Sequence, residues 1–460
     1  MNYRWLIFLL PLAFLAVFSC KKDKTFTKGH LDFSTDTLLF DTVFTTVGST
    51  TKRFKIYNNN NAKIKVDEIE LMGGASSPFR INIDGVSGIT HQDIEIPRND
   101  SLFAFVEVTL AVNNTTNPLV ISDSIRFRTN GKDQYVKLDV WGQDAYFHAN
   151  QVVSGVWAND KPHVLYGITA VGYPGIDSNL SLTIPQGTNI YCHKNSRLLV
   201  YKSTLNIQGQ YNNEVTFQGD RLESFYDDVP GQWFGIHLIE AKTSSINYAI
   251  IKNGSVGITV DSTAAPLTLN LTNTIVANSD FFNVNVNAGG VVNVENCVFG
   301  DAGAYSVLLY VGGEYRFKNC TIANYWTGSR VGPSVAIVNW YKDADKNTHV
   351  RPVTNSRFDN CVIYGTATDE LAVDTIPGAT FDCIFNKCLI KRETVYDYSN
   401  FLNVSWNLDP LFTAPVDGDF HFSSGSSLDN TGDPANATTM DIEGLARNLG
   451  APDLGAYEKL

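Results

Sequence analysis

Asn296-Cys297-Val298-Phe299 is followed by Asn319-Cys320-Thr321-Ile322 and then by Asn360-Cys361-Val362-Ile363. Asn273-Thr274-Ile275-Val276 opens the series, and Asn386-Lys387-Cys388-Leu389-Ile390 closes it as a looser copy. The first four asparagines stand 23, 23 and 41 residues apart, the last interval being one period plus an insertion of 18. A period in the low twenties, rich in β-branched residues and without helical spacing, predicts a solenoid of short strands. Stacking sets identical side chains above one another. The asparagines then form a hydrogen-bonded ladder at a turn, and the cysteines a column inside.

Upstream, Leu180 to Thr188, Leu198 to Tyr201, Leu205 to Gly209, Val215 to Phe217, Trp233 to Ile236 and Ile246 to Ile251 supply the earlier coils. About 310 residues at 23 per turn allow roughly ten to thirteen coils, fewer after insertions and tail are subtracted. The pattern resembles a right-handed parallel β-helix, pectate-lyase-like, over residues 148–460. Asp409-Pro410-Leu411-Phe412, Gly418-Asp419-Phe420-His421-Phe422 and Gly450 to Glu458 resemble the C-terminal end of many bacterial proteins of that class. Their expected role is a cap over an open strand edge.

Residues 31–147 lack the repeat. Lys52 to Tyr57, Leu102 to Leu110, Leu119 to Phe127 and Tyr135 to Trp141 alternate apolar and polar residues between Asn-, Gly-, Pro- or Ser-rich breaks. Period-two alternation at that spacing predicts an antiparallel β-sandwich of about seven strands. The layout resembles immunoglobulin-like domains of bacterial surface proteins, which implies a spacer or an adhesion module. The fold class is therefore all-β, a sandwich followed by a solenoid.

Arg4 precedes an apolar run from Trp5 to Phe18. Fourteen residues are too few to span a bilayer, which needs about 20, and they fit a secretory signal. Val17-Phe18-Ser19-Cys20 resembles a bacterial lipobox, which implies cleavage before Cys20 and its lipidation. Lys21-Lys22-Asp23-Lys24 begins a linker over 21–30 and has no aspartate directly after the cysteine. That looks like an outer-membrane lipoprotein, and the stretch partly resembles signals for surface export. A net charge of −12 supplies no basic stripe for nucleic acid. Of seven cysteines, one is the membrane anchor, and those in the repeat phase are expected to be buried free thiols.

Chemistry has three candidate locations. Gly219-Asp220-Arg221-Leu222-Glu223, running on through Tyr226-Asp227-Asp228 to Trp233, reads as a loop between coils and resembles a phrase of surface lipoproteins with β-helix domains. Its aromatics suit sugar rings and its carboxylates suit Ca²⁺. The structural alternative pairs Arg221 with the acids and packs Trp233 inward; no cofactor is otherwise implied. Asp227-Asp228 superficially resembles the paired aspartates of polygalacturonases, but their Gly-His-Gly phrase is absent, and Arg316-Phe317-Lys318 lies 89 residues beyond Asp227. Tyr325-Trp326 and Trp340-Tyr341 fall in the long third interval, where a projecting loop would carry them as a sugar platform. Arg316 and Arg357 share a phase and would present stacked positive charge, or simply be solvated; His237 reads as an ordinary strand residue. The candidate glycan-binding residues are thus Arg221, Tyr226, Asp227, Asp228, Tyr325, Trp326, Trp340 and Tyr341. The leading expectation is a lipid-anchored outer-membrane protein, displayed outward, that binds polysaccharide without catalysis. A tethered lyase or glycoside hydrolase, and a purely structural envelope protein, are the alternatives.

Overall fold

The computed structural model describes residues 26–45, 47–112, 119–261, 268–393 and 399–459. The signal segment and Cys20 lie outside the described residues. The chain divides into two compact units between Asp144 and Ala145.

In the first unit two five-stranded sheets enclose one apolar core, with Phe54, Ile56, Phe79, Val106, Phe127 and Leu138 among its buried residues. Pairing is antiparallel except where Lys132–Gln143 runs parallel to Thr37–Phe44, with a bulge between Val140 and Trp141. The ten strands exceed the seven expected from alternation, because short edge strands such as Asp32–Phe33 and Val86–Ser87 carry too few residues to show a period.

The second unit is a β-helix solenoid with three parallel faces. We call face A the strands that follow the repeated asparagine, from Asn189–Cys192 through Val298–Phe299, Thr321–Asn324 and Val362–Gly365 to Ser405–Trp406. Face B holds Arg197–Tyr201, Gly235–Ile239, Val256–Asp261, Phe282–Asn287, Tyr305–Tyr310, Val335–Val338 and Leu371–Asp374. Face C is a separate sheet of ten strands, from Gly155–Val156 to Phe401–Leu402. From Ser181–Pro185 to Leu371–Asp374 each coil runs C, A, B and back to C.

The repeat phrase is the corner between faces C and A. Asn273, Asn296, Asn319 and Asn360 all have φ between 48° and 54°, the left-handed region that asparagine tolerates better than other residues with side chains. Lys387 takes the same conformation in the looser copy. Cys297, Cys320, Cys361 and Cys388 are fully buried directly behind this corner, as the repeat predicts, and every described cysteine is a free thiol. Each can donate its S–H to the carbonyl two residues back, at 3.2 Å for Cys297 and 3.3 Å for Cys320 and Cys361. Thr274 does the same through its hydroxyl at 2.8 Å, which is why threonine and cysteine exchange in the motif. Burial pushes the thiols of Cys297 and Cys361 well above their ordinary range. Behind face C, Phe317, Phe358, Phe385 and Phe401 stack with centroids 4.7, 4.7 and 4.9 Å apart, the strand spacing itself.

The asparagine ladder is shorter than the sequence suggests. Asn273 donates to Asn247 at 2.9 Å and Asn296 to Asn273 at 3.2 Å. Beyond that point the C-terminal tail takes over: Asn319 accepts from Thr438 N at 3.0 Å, and Asn360 exchanges bonds with the Asp433 backbone at 2.7 and 3.1 Å. The tail packs along the side of the stack, with Phe420, Phe422, Leu454 and Tyr457 against Val298, Ala323, Val362 and Leu389 of face A. Gly455 has φ 90° and comes so close that a Cβ would lie 2.6 Å from Thr321 Oγ1. Only glycine meets both demands.

Candidate functional site

The long third interval does not contain one platform. Residues 325–334 leave at the corner between faces A and B, and residues 339–352 leave at the corner between B and C. A one-residue bulge on face C, before Arg357, accounts for the remainder of the insertion. The two aromatic pairs therefore stand at different corners. Trp340 and Tyr341 belong to a two-stranded hairpin, Trp340–Lys342 with Thr348–Val350, where Tyr341 stacks on His349 at 4.9 Å. Tyr325 faces the tail, with its ring 6.3 Å from Phe412 and 6.2 Å from Phe420. Trp326, half-buried, lines an open cleft.

The loop after Val215–Gly219 is tied down as the structural alternative requires. Arg221 forks onto Glu223 at 2.9 and 3.0 Å and its guanidinium lies 4.0 Å from the Tyr226 ring centroid. Asp220 meets His193 at 2.6 Å. Trp233 is buried, stacks near Phe217 and donates to Lys252 O at 3.0 Å. Asn253 and Gln232 bond the loop carbonyls of Asp227 and Tyr226, both at 2.8 Å. Arg221 and Tyr226 are thus engaged with each other, and the side chains of Asp227 and Asp228 remain exposed. Among the described residues no group of three or more His, Cys, Asp or Glu is arranged to hold a metal ion.

Two of the eight candidates converge. Asp228 from the first loop and Trp326 from the insertion line a cleft of ≈ 530 Å³ on face A, together with Lys252, Asp301, Phe420 and Tyr457. Ile275, Ala277 and Val298 supply an apolar floor, and the tail segment 416–418 forms one wall. Trp326 lies against Gly303, where a Cβ would come 3.3 Å from its ring and 2.3 Å from Asp280 O. The ring is positioned by Trp326 N donating to buried Asn324 Oδ1 at 3.2 Å.

Asp301 is the residue that sequence reading missed. Burial pushes its carboxyl up to about 6, against the pull of a bond from Tyr325 N at 2.7 Å and the charge of Arg330. Arg330 itself is fixed elsewhere, at 2.7 Å from buried Glu370. A signal was present: Asn278, Asp301 and Asn324 repeat at the same spacing of 23.

A second cleft, of ≈ 540 Å³, lies on face C. Arg316 pairs with Arg357 and Lys318 with Asp359 in register, as their phase predicts. These charges are internally balanced, Arg316 with Glu314 at 2.6 Å and Arg357 with Asp359 at 2.8 Å, so no stack of free positive charge exists there. On face B, His237 pairs with Asp261 of the next coil, which Asn287 also holds at 2.6 Å.

No family model matches the chain, and no curated protein matches it. Among solved structures, a family 123 glycoside hydrolase from Clostridium perfringens aligns over 26% of this chain and 30% of its own, at 8% identity and a TM-score of 0.19. The ASH/PapD-like domain 7 of human CEP192 aligns over 27% of this chain and 94% of its own, at 9% identity and a TM-score of 0.18. At those scores neither likeness carries an argument.

Proposed function

We propose that the second unit binds a glycan built of neutral or amino sugars in the face-A cleft. The observation that carries this reading is the meeting of Asp228 and Trp326, from loops nearly a hundred residues apart, over a shared apolar floor. An aromatic face with flanking carboxylates suits a sugar ring, whose C–H face stacks while its hydroxyls donate. Three carboxyls, Asp228, Asp301 and Asp417, against the single ammonium of Lys252 disfavour a polyuronate.

Glycan-array screening followed by calorimetry tests the reading. Trp326→Ala should weaken binding by about 0.5–1.5 kcal/mol, or roughly 2- to 12-fold, with little change in melting temperature because the ring is only half-buried. Unchanged affinity in that variant, or no binding to any arrayed glycan, rejects the cleft and favours a purely structural envelope role.

The address forms part of the proposal. Lipid on Cys20 would tether the chain to the outer membrane, facing outward, with the first unit as a spacer. Cys20→Ala is expected to leave the membrane fraction or to accumulate unprocessed. Normal fractionation and processing of that variant would remove the anchor.

A further inference from the structure

We infer that His421 is a proton-operated clamp on the tail wall of the face-A cleft, pinning that wall while its ring is doubly protonated and releasing it when one proton leaves. The inference rests on the binding reading above and deepens it by placing a control on the same cleft.

The wall is a hairpin. Phe412–Ala414 pairs antiparallel with Asp419–Phe422, and the turn between them brings Val416, Asp417 and Gly418 to the cleft beside Phe420. Phe420 and Phe422 seat the hairpin in the apolar layer over face A. His421 alternates with them and points away from that layer, toward a separate segment of the tail. Its Nδ1 lies 2.6 Å from Asp419 Oδ1 and its Nε2 3.2 Å from Glu443 Oε2. The ring also lies 4.1 Å from that of Tyr457, which lines the same cleft.

Both ring nitrogens thus face carboxylates. A carboxylate only accepts, so two such contacts require two N–H donors, and only the imidazolium form has them. A neutral ring keeps one bond and turns a lone pair toward the other carboxylate. Asp419 is also held within its own strand, accepting from His421 N at 3.0 Å, so Glu443 is the partner released. The neighbouring acids do not replace it. Asp417 faces the cleft, and Asp441 is held by the N–H groups of Glu443, Leu445 and Glu458 at 2.9, 2.8 and 3.0 Å. Tyr457 stays neutral, its hydroxyl pushed up by burial. Burial alone would lower the His421 ring, but Asp419 and Glu443 outweigh it and hold the ring above its ordinary value. The clamp is therefore fully closed below about pH 6.5 and opens as pH rises through the raised folded value. Opening loosens the turn and the Tyr457 ring, so glycan affinity falls on the alkaline side.

Amide exchange and binding are read on the full chain at about pH 6 and about pH 9, in the unaltered protein, His421→Gln and Glu443→Gln. Protection factors, which divide out the intrinsic pH dependence of exchange, are taken over residues 412–422, with Gly290–Glu295 of face C as reference. The unaltered chain should lose protection by about 1.5- to 5-fold between the two pH values, the range for half-exposed ion pairs. His421→Gln should show the lower value at both. Glu443→Gln, whose amide can donate to the free Nε2 lone pair, should keep its protection at the higher pH. No loss in the unaltered chain, or an equal loss in His421→Gln, overturns the clamp. The binding probe is a panel of neutral hexose and amino-sugar tetra- to octasaccharides. The member bound should lose affinity by a similar factor over the same step, in the unaltered chain and not in His421→Gln. Affinity that ignores pH, or follows it equally in both, overturns the coupling and leaves the binding reading intact. Absence of binding across the panel removes the binding reading and the coupling with it, while the exchange data still decide the clamp.

Discussion

Arg447→Ala should cost about 3–5 kcal/mol of stability, the usual penalty for stripping one partner from a buried ion pair. The Arg447 side chain is fully buried and 3.0 Å from Glu458, which is itself sealed in. Its guanidinium also donates to Gly455 O at 2.9 Å, Ala456 O at 3.0 Å, Asn296 Oδ1 at 3.2 Å and Thr438 Oγ1 at 3.0 Å. Alanine removes a donor from each of those oxygens and leaves Glu458 as a buried charge without its cation. The consequence is local before it is global. Losing the Arg447 fork frees the segment that covers Val298, Ala323, Val362 and Leu389, so protease cuts should appear between about residues 409 and 458 before the coils melt. Arg447→Lys should rescue little, because an ammonium cannot fork across several acceptors at once. A chemical-denaturation midpoint and tail proteolysis close to those of the unaltered chain would contradict this account.

The same tail shows where sequence reading stops. Gly450 to Glu458 is visible as a motif, yet nothing in it names the surface it will cover. Strand edges at a solenoid end demand a cap, and that demand suggested an end-on role. The apolar side of face A makes an equal demand along its length, and the tail meets it there.

The coils were legible because one backbone constraint repeats. A left-handed corner favours asparagine, and the buried carbonyl beside it favours a small donor, so the pair Asn-Cys or Asn-Thr returns in four successive turns. The site was not legible for a complementary reason. An interval of 41 instead of 23 gives the total insertion but not the corner at which the extra residues leave. Tyr325 and Trp326 are adjacent, yet one packs on Phe412 and Phe420 and the other opens onto the cleft. Asp301 was readable in principle. Aligning the coils on Asn278 and Asn324, rather than only on Asn273 and Asn296, exposes an aspartate where asparagine is the rule.

Between about pH 6.5 and about pH 4 the His148–His163 pair should withdraw on the order of 3 kcal/mol of stability from the second unit. Gln151 donates to His148 Nδ1 at 2.7 Å, His148 Nε2 donates to His163 Nδ1 at 2.8 Å, and His163 Nε2 donates to Ala158 O at 2.8 Å. That chain fixes both tautomers, and a proton added to either ring sets donor against donor. The rings also stack with Trp157, at 4.5 Å for His148 and 4.2 Å for His163. Burial, followed by the neighbouring His163, pulls His148 down to about 4, and burial likewise lowers His163 although Ala158 O and Asp160 oppose it. Tyr146 packs on His163 at 5.1 Å and its hydroxyl engages Asp160 at 3.0 Å, so one carboxylate is the only charge facing the pair that these contacts supply. Both folded values lie below the unfolded value of about 6.5. The unfolded chain therefore binds more protons in this window, and the stability is fully present above pH 6.5 and lost as pH falls toward 4. Asp343, lowered to about 2 by its bond from His349, acts only below the ordinary carboxylate range and so leaves the window clear. Asp301 and His421 have the opposite sign: burial raises Asp301 to about 6, so the folded chain takes up that proton first as pH falls, and burial lowers His421 but Asp419 and Glu443 raise it above its ordinary value. Comparing unfolding free energies of the unaltered chain and of His148→Gln at pH 7 and about pH 4.5 cancels that background. The variant should show the smaller loss. An equal loss in both would place the acid sensitivity outside the His148–His163 pair.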